Sequence, residues 1–275
     1  MKKYSIPYFL WMILFIILPI FLILLYSFSG TKIIDFQNFQ CSLNNYKRVF
    51  EPIYLKIIGR SLWMAFVSTI VTLGVGYPVA YIISREKEKK RNLLILFFII
   101  PMWMNFLLRT YAWLTLLGNN GIINRFLGIF HIGPWDLMYN DRAILLGMIY
   151  NFLPFMVLPI YSVLIKIDKS YVEAAKDLGA SKFIVFWKVI FPLSLPGVIT
   201  GITMVFIPGI STFIISSLLG GNKYYLIGNL IEQQFRFTGN WAFGSALSVI
   251  LIVILMILLG LSRFISKNKG KGVLL

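Results

Sequence analysis

Apolar residues along this chain neither alternate nor keep to one helical stripe; they come in long runs. Six runs long enough to cross a bilayer as helices cover residues 6–28, 61–84, 92–117, 143–165, 196–219 and 241–261. None has the period-two alternation of a membrane barrel strand. The pattern predicts an all-α polytopic membrane protein with six transmembrane helices, organised as a single transmembrane domain over 1–275. Three runs carry internal helix breakers: Gly74, Gly76 and Pro78 in the second, Pro154 and Pro159 in the fourth, and Pro208-Gly209 in the fifth. Proline removes a backbone donor and kinks a helix. Irregular backbone at membrane depth is tolerated only beside protein or a water-filled cavity. The breaks therefore nominate the second to fifth runs as lining a pathway and leave the first peripheral.

Polar stretches between the runs fix an orientation. Sixteen of the 26 Lys and Arg fall in 1–5, 85–91, 166–195 and 262–275, while the ten acidic residues divide evenly between the two sides. Basic residues in short loops mark the cytoplasmic side, so both termini and the segments 85–91 and 166–195 are expected inside the cell. The net charge of +16 is then topology rather than a nucleic-acid footprint. The tail "SKNKGKGVLL" has the basic composition of a segment attracted to anionic membrane lipid. The opening "MKK" resembles a signal peptide, but its apolar stretch is longer than a cleavable one and is expected to stay as the first span.

Composition removes whole classes of chemistry. The chain is 59% hydrophobic and 13% charged, against about 25% charged residues in soluble domains. It has no G-x-x-x-x-G-K-[ST] loop, no His-Glu-x-x-His and no Cys-x-x-Cys, and it has one histidine (His131) and one cysteine (Cys41). No metal site, no cofactor and no catalytic set is expected in this chain. The six runs contain no Asp or Glu, which weighs against a proton-driven secondary carrier, since such carriers place ionisable groups inside the membrane.

One hydrophilic segment, 168–195, has a design of its own. Ser170 and Glu173 have the S-x-x-E spacing of a capping box. They predict a short helix from Tyr171 to Leu178 with Val172, Ala175 and Leu178 on one face. Gly179 sits where a left-handed residue would end it. Ser181 is placed to cap a second helix through "KFIVFWKVI", stopped by Pro192 and Pro196. So short a helix is marginal in water and needs a partner surface.

The spacing Glu173-Ala174-Ala175, Gly179, then Val189-Ile190-Phe191-Pro192 resembles the cytoplasmic signature of bacterial ABC importer permeases, with Val and Phe in place of the usual Ile and Leu. The stretches "LLRTYAWLTLLGNNGIINRFLG", "GMIYNFLPFMVLPIYSVL", "FIPGISTFIISSLLGG" and "NWAFGSALS" are similar to the permeases of spermidine/putrescine importers. The resemblance implies the type I permease fold in the bacterial cytoplasmic membrane. It implies a second homologous permease, two copies of a separate ATPase subunit and an extracytoplasmic binding protein. Glu173, Ala174, Ala175, Asp177, Gly179 and Pro192 would belong to the coupling segment that docks the ATPase. Related importers carry sulfate, molybdate, ferric iron or thiamine, so an importer for one of these is the alternative.

For a polyamine, the acid-free runs leave aromatic faces and neutral dipoles as the pathway candidates. They are Trp103, Tyr111, Trp113, Tyr150, Asn151 and Tyr161, with Pro208, Ser211 and Thr212 at the fifth-run break. Arg109 is the one formal charge within any run. It fits a structural pairing with helix-end carbonyls or a partner acid, a group that repels or orients a cation, or an anion site. Asp136, Glu232 and Arg236 on the long external segments are candidate contacts for the binding protein.

Overall fold

The computed structural model describes residues 6–31, 40–221 and 223–272, with side chains described as far as residue 264. The basic tail noted above lies beyond the described side chains. In chain order the helices are α1 (Pro7–Ser27), α2 (Asn44–Val49), α3 (Pro52–Arg85), α4 (Glu88–Trp103), α5 (Phe106–Leu117), α6 (Ile122–Ile129), α7 (Asp141–Leu164), α8 (Lys169–Asp177), α9 (Lys182–Ser211), α10 (Ile214–Leu219), α11 (Ile227–Arg236) and α12 (Trp241–Gly272). Five of them are long and apolar enough to cross a membrane: α1, α3, α7, α9 and α12. A sixth crossing arises if α4 and the segment Phe106–Ile129, bent by 97° at a short break, count as one span.

The breaks are not where the glycines and prolines suggested. Helix α3 runs unbroken through Pro78, and α7 runs through Pro154 and Pro159. Helix α9 passes Pro192, Pro196 and Pro208 and ends only at Ser211. Pro192 and Pro196 thus do not stop the second cytoplasmic helix, and a π-turn explains why. Over Phe186–Ile190 the backbone widens, and the Phe191 N–H donates to the carbonyl of Phe186, five residues back. Pro192 then enters at the start of the next α-turn, where a proline's missing donor costs least. Helix α1 repeats the device, with a π-turn over Ile13–Ile17 and Pro19 just beyond it. The real interruptions fall at Met104–Asn105 and Thr212–Phe213, where Met104 and Thr212 are extended. Asn105 caps the resumed helix by accepting from the Leu107 N–H at 2.8 Å.

Backbone contacts divide the chain into two compact units, 1–61 with 225–257, and 62–224 with 258–275. In the first, Phe243 and Leu247 of α12 pack with Val49 of α2 and Leu230 of α11. The Arg48 guanidinium lies 4.3 Å from the Phe243 ring centroid and donates to Tyr54 Oη at 2.9 Å. Ser61 Oγ accepts from the Ile227 N–H at 2.7 Å, satisfying a donor at the α11 start that has no partner within its own helix.

The second unit is built around α7, where Met148, Met156, Val157 and Ile160 are fully buried. Helix α9 lies so close along it that a Cβ on Gly197 would stand 2.8 Å from the Pro159 carbonyl oxygen and 3.0 Å from Ile160 Cα. Both are backbone atoms, which cannot step aside. In an ordinary helix Gly→Ala gains up to about 1 kcal/mol; here Gly197→Ala should instead destabilise, by about 1–3 kcal/mol. Gly74→Ala, where a Cβ meets nothing within 4 Å, should show the ordinary gain. Thermal unfolding of the two variants in one detergent is expected to move in opposite directions. Farther along α9, Ser194 Oγ donates to the Phe191 carbonyl at 2.8 Å. That commits its one proton, so Tyr77 on α3 is the donor in the buried 2.8 Å bond between the two hydroxyls.

Candidate coupling segment and pathway residues

Helix α8 begins two residues before the capping box implied. Asp168, not Ser170, is its N-cap: the carboxylate accepts from the Ser170 N–H at 2.9 Å. A carboxylate at a helix start also meets the positive end of the helix dipole, which a serine hydroxyl does not match. The backbone bond from Ser170, followed by the bond from its hydroxyl, holds the Asp168 carboxyl below its ordinary value. Because the folded value is depressed, the cap's contribution is complete above the ordinary carboxylate range and is lost as pH falls through the depressed value. Amide exchange at Ser170, corrected for intrinsic rate, should therefore rise in that acid window. In Asp168→Asn, which still caps, it should stay flat.

The far end of α8 is a complete Schellman motif. Gly179 has φ +80°. Its N–H donates to the Lys176 carbonyl at 2.8 Å, and the Ala180 N–H donates to the Ala175 carbonyl at 3.0 Å. Ser181 then caps α9, accepting from the Ile184 N–H at 3.4 Å. Two helices are thus joined by a turn in which the Ala175 and Lys176 carbonyls and the Ile184 N–H are satisfied.

Burial separates the residues the sequence had grouped. Val172 is buried and Ala175 half-buried, whereas Leu178 is 89% exposed. Leu178 is the C-cap residue, outside the regular turn that would align it with Val172. Glu173, Ala174 and Asp177 are exposed as well. Phe183 and Trp187, which the residue pattern did not single out, are exposed too, with rings 6.2 Å apart. Their signal was available: large apolar residues directly after a glycine-terminated polar helix.

The pathway candidates are brought together only in part. Helices α5, α7 and α10 pack on one another, and Trp113 meets Tyr150 edge-on with centroids 5.3 Å apart. Arg109, 7% exposed, lies 5.7 Å from the Phe106 ring centroid. Its Nε and Nη1 are buried without an acceptor among the described residues. Asn151 donates to the Gly147 carbonyl at 2.9 Å, but its Oδ1 is likewise buried and unpartnered. Trp103 is 81% exposed at the α4 end, Tyr111 is exposed on α5, and Tyr161 is half-buried on α7. Ser211 and Thr212 flank the α9–α10 break, with Pro208 one turn earlier inside α9.

Of the external candidates, Asp136 is exposed and lines a cavity of about 720 Å³ with Trp135, Asp141, Arg142 and Tyr224. Glu232 and Arg236 pair with each other on α11 at 2.8 Å. Asn124 pins the loop before Asp136, exchanging hydrogen bonds of 3.0 Å with both backbone groups of Trp135. Among the described residues no cluster of three metal-ligating side chains occurs.

Comparison with known proteins agrees with this geometry. The family described as "Binding-protein-dependent transport system inner membrane component" matches residues 73–269. The chain is 39% identical over 91% of its length to the spermidine/putrescine transport system permease protein PotB of Haemophilus influenzae, of which 88% is covered. It is 38% identical over 90% of its length to the Escherichia coli protein of the same name, of which 91% is covered. Its fold superposes on a chain of a bacterial alginate ABC transporter crystallised with an alginate-bound periplasmic protein. There the TM-score is 0.82 at 12% identity, covering 97% of this chain and 93% of that one. The chain therefore belongs to the binding-protein-dependent transport system inner membrane component family, as a multi-pass inner-membrane permease subunit of an ABC transporter.

Proposed function

We propose that this permease carries spermidine and putrescine inward, with ATP hydrolysed by a separate subunit that docks on α8. The observation that carries the cargo assignment is the identity of 38–39% with spermidine/putrescine permeases across nine-tenths of the chain. The ATPase assignment is supported by a rigidly capped helix that leaves Glu173, Ala174 and Leu178 in solvent. Such a helix, with Phe183 and Trp187 beside it, presents apolar surface that a partner would cover.

In this reading α8 and both termini are cytoplasmic, and the assembly holds a second permease, two ATPase copies and an external binding protein. A loaded binding protein docks outside, with Asp136, Glu232 and Arg236 among the rim contacts. Closure of the ATPase dimer pulls α8, and the Schellman turn transmits that pull to α9 because its backbone bonds leave little slack. The permeases open outward, cargo enters past the Trp113–Tyr150 pair, and hydrolysis restores the inward-facing state. Aromatic faces suit a diffuse amine cation without holding it too tightly to release.

Arg109 favours a second reading, an oxyanion importer, because a buried guanidinium without an acceptor can take an anion. Uptake of labelled spermidine by polyamine-uptake-deficient cells expressing the whole assembly separates the two. Subunit-dependent uptake competed by putrescine and not by sulfate is expected. Uptake indifferent to this subunit, with the ATPase bound, would overturn the polyamine assignment.

A further inference from the structure

At the end of the second unit that carries α8, five helices and the turn after α7 enclose a cavity of about 340 Å³. Arg85 at the end of α3, Arg91 in the first turns of α4 and Lys169 at the start of α8 line it. Glu86 also lines it, but its carboxylate is engaged by Lys90 at 2.8 Å. Among the described residues no carboxylate pairs with the three cations, and the Nε of Arg91 is buried without an acceptor. Asp168, next to Lys169, is turned to the Ser170 N–H as the α8 cap. Arg85 is exposed, and its guanidinium lies 5.1 Å from the Tyr81 ring centroid.

Apolar side chains line the cavity beside the cations: Leu164 and Ile165 from the end of α7, Val172 from α8 and Ile190 from α9. A free phosphate or nucleotide would have use only for the cations. We propose that this cavity binds the headgroup of an anionic phospholipid. Its phosphate is held by Arg85, Arg91 and Lys169, and its glycerol and first methylenes lie against Leu164 and Ile165. The setting fits, because span ends and an amphipathic short helix meet there, at the depth of a headgroup. A bound phosphate would tie α3 and α4 to the start of α8, so anionic lipid would set the position of the coupling helix. Within the proposed function this is a regulatory site and no part of the cargo pathway.

The inference rests on the inward orientation of α8 only for the choice of leaflet. The two failures separate: a wrongly oriented subunit would not retain its ATPase, whereas a wrong lipid assignment leaves the ATPase bound and the lipid unselected. The test is native mass spectrometry of the purified full assembly titrated with phosphatidylglycerol and with phosphatidylethanolamine. Wild-type protein is expected to prefer phosphatidylglycerol by at least fivefold. In Arg85→Gln and Arg91→Gln that affinity should fall roughly fivefold for each charge removed. Lys182→Gln, at the start of α9 and outside the cavity, should leave it unchanged, and Arg91→Lys should restore part of it.

Equal binding of the two lipids by wild-type protein would overturn the proposal without recourse to any variant. So would displacement of phosphatidylglycerol by millimolar inorganic phosphate, which would mark a soluble-anion site. Loss of the ATPase from the glutamine variants with lipid retention unchanged would assign the cations to subunit docking and overturn it too.

Discussion

Gly179→Val is expected to release the ATPase from the assembly and abolish uptake, while Gly179→Asn leaves both close to wild type. Gly179 holds φ +80°, and a Cβ there would meet nothing within 4 Å. The penalty is therefore conformational, with no steric crowding to add to it. A left-handed residue costs an ordinary side chain about 1–2 kcal/mol, and β-branching raises that, whereas asparagine visits this region readily. When valine leaves the left-handed region, the bonds from the 179 and 180 amides to Lys176 and Ala175 are lost together. The turn between α8 and α9 then opens and Leu178 leaves its place. Gly179→Asp keeps the turn more nearly intact but adds charge at the docking surface, so it should also fail to retain the ATPase. Co-purification of ATPase with the three variants measures this order. Normal retention by the valine variant would remove the turn from the coupling account.

Arg109 carries the second large effect, and it should have opposite signs in the subunit and in the assembly. A buried guanidinium with two unpartnered donors is a burden on the isolated chain. Replacing such a group by an apolar side chain removes its desolvation cost, as it does when buried ion pairs are replaced by packed apolar residues. Arg109→Leu should thus leave the isolated subunit at least as stable as wild type. If the missing acceptor is supplied by the partner permease, the same substitution should cut uptake by roughly tenfold or more, in line with losing a charge-assisted hydrogen bond. Thermal unfolding of the subunit and uptake by the assembly, measured on the same variant, give the two signs. Lower stability in both settings would mean that Arg109 is satisfied within its own chain.

How much of this was written in the residues differs from place to place. Apolar runs marked the helices because membrane burial needs little beyond length and composition. Gly179 was legible because few residue types tolerate its backbone, and Ser181 because its spacing matches a cap. Ser170 misled: the S-x-x-E pattern was real, but Asp168, two residues earlier, offered a charged acceptor and won. The breakers misled more broadly. Pro78, Pro154 and Pro159 each remove one backbone bond from a helix held by its neighbours, and Pro192 is absorbed by a π-turn. Pro101 and Asn105, read only as part of one long span, bracket the 97° bend. A proline followed by a capping asparagine was the available sign. Partners of Arg109 were not legible at all, and among the described residues its Nε and Nη1 have no acceptor.

The central claim is that ATP-driven motion enters this permease through the exposed face of α8 and its turn. It is tested most directly by cysteine cross-linking in a Cys41→Ser background, which leaves no native thiol. Single cysteines at Ala174 and Leu178, both exposed, should cross-link to the ATPase in the assembled transporter, with yields that change when ATP binds. A cysteine at His131, on the long loop before α7, should not. Absence of any cross-link from 174 and 178 while the ATPase stays bound, or an equal yield from 131, would contradict the account.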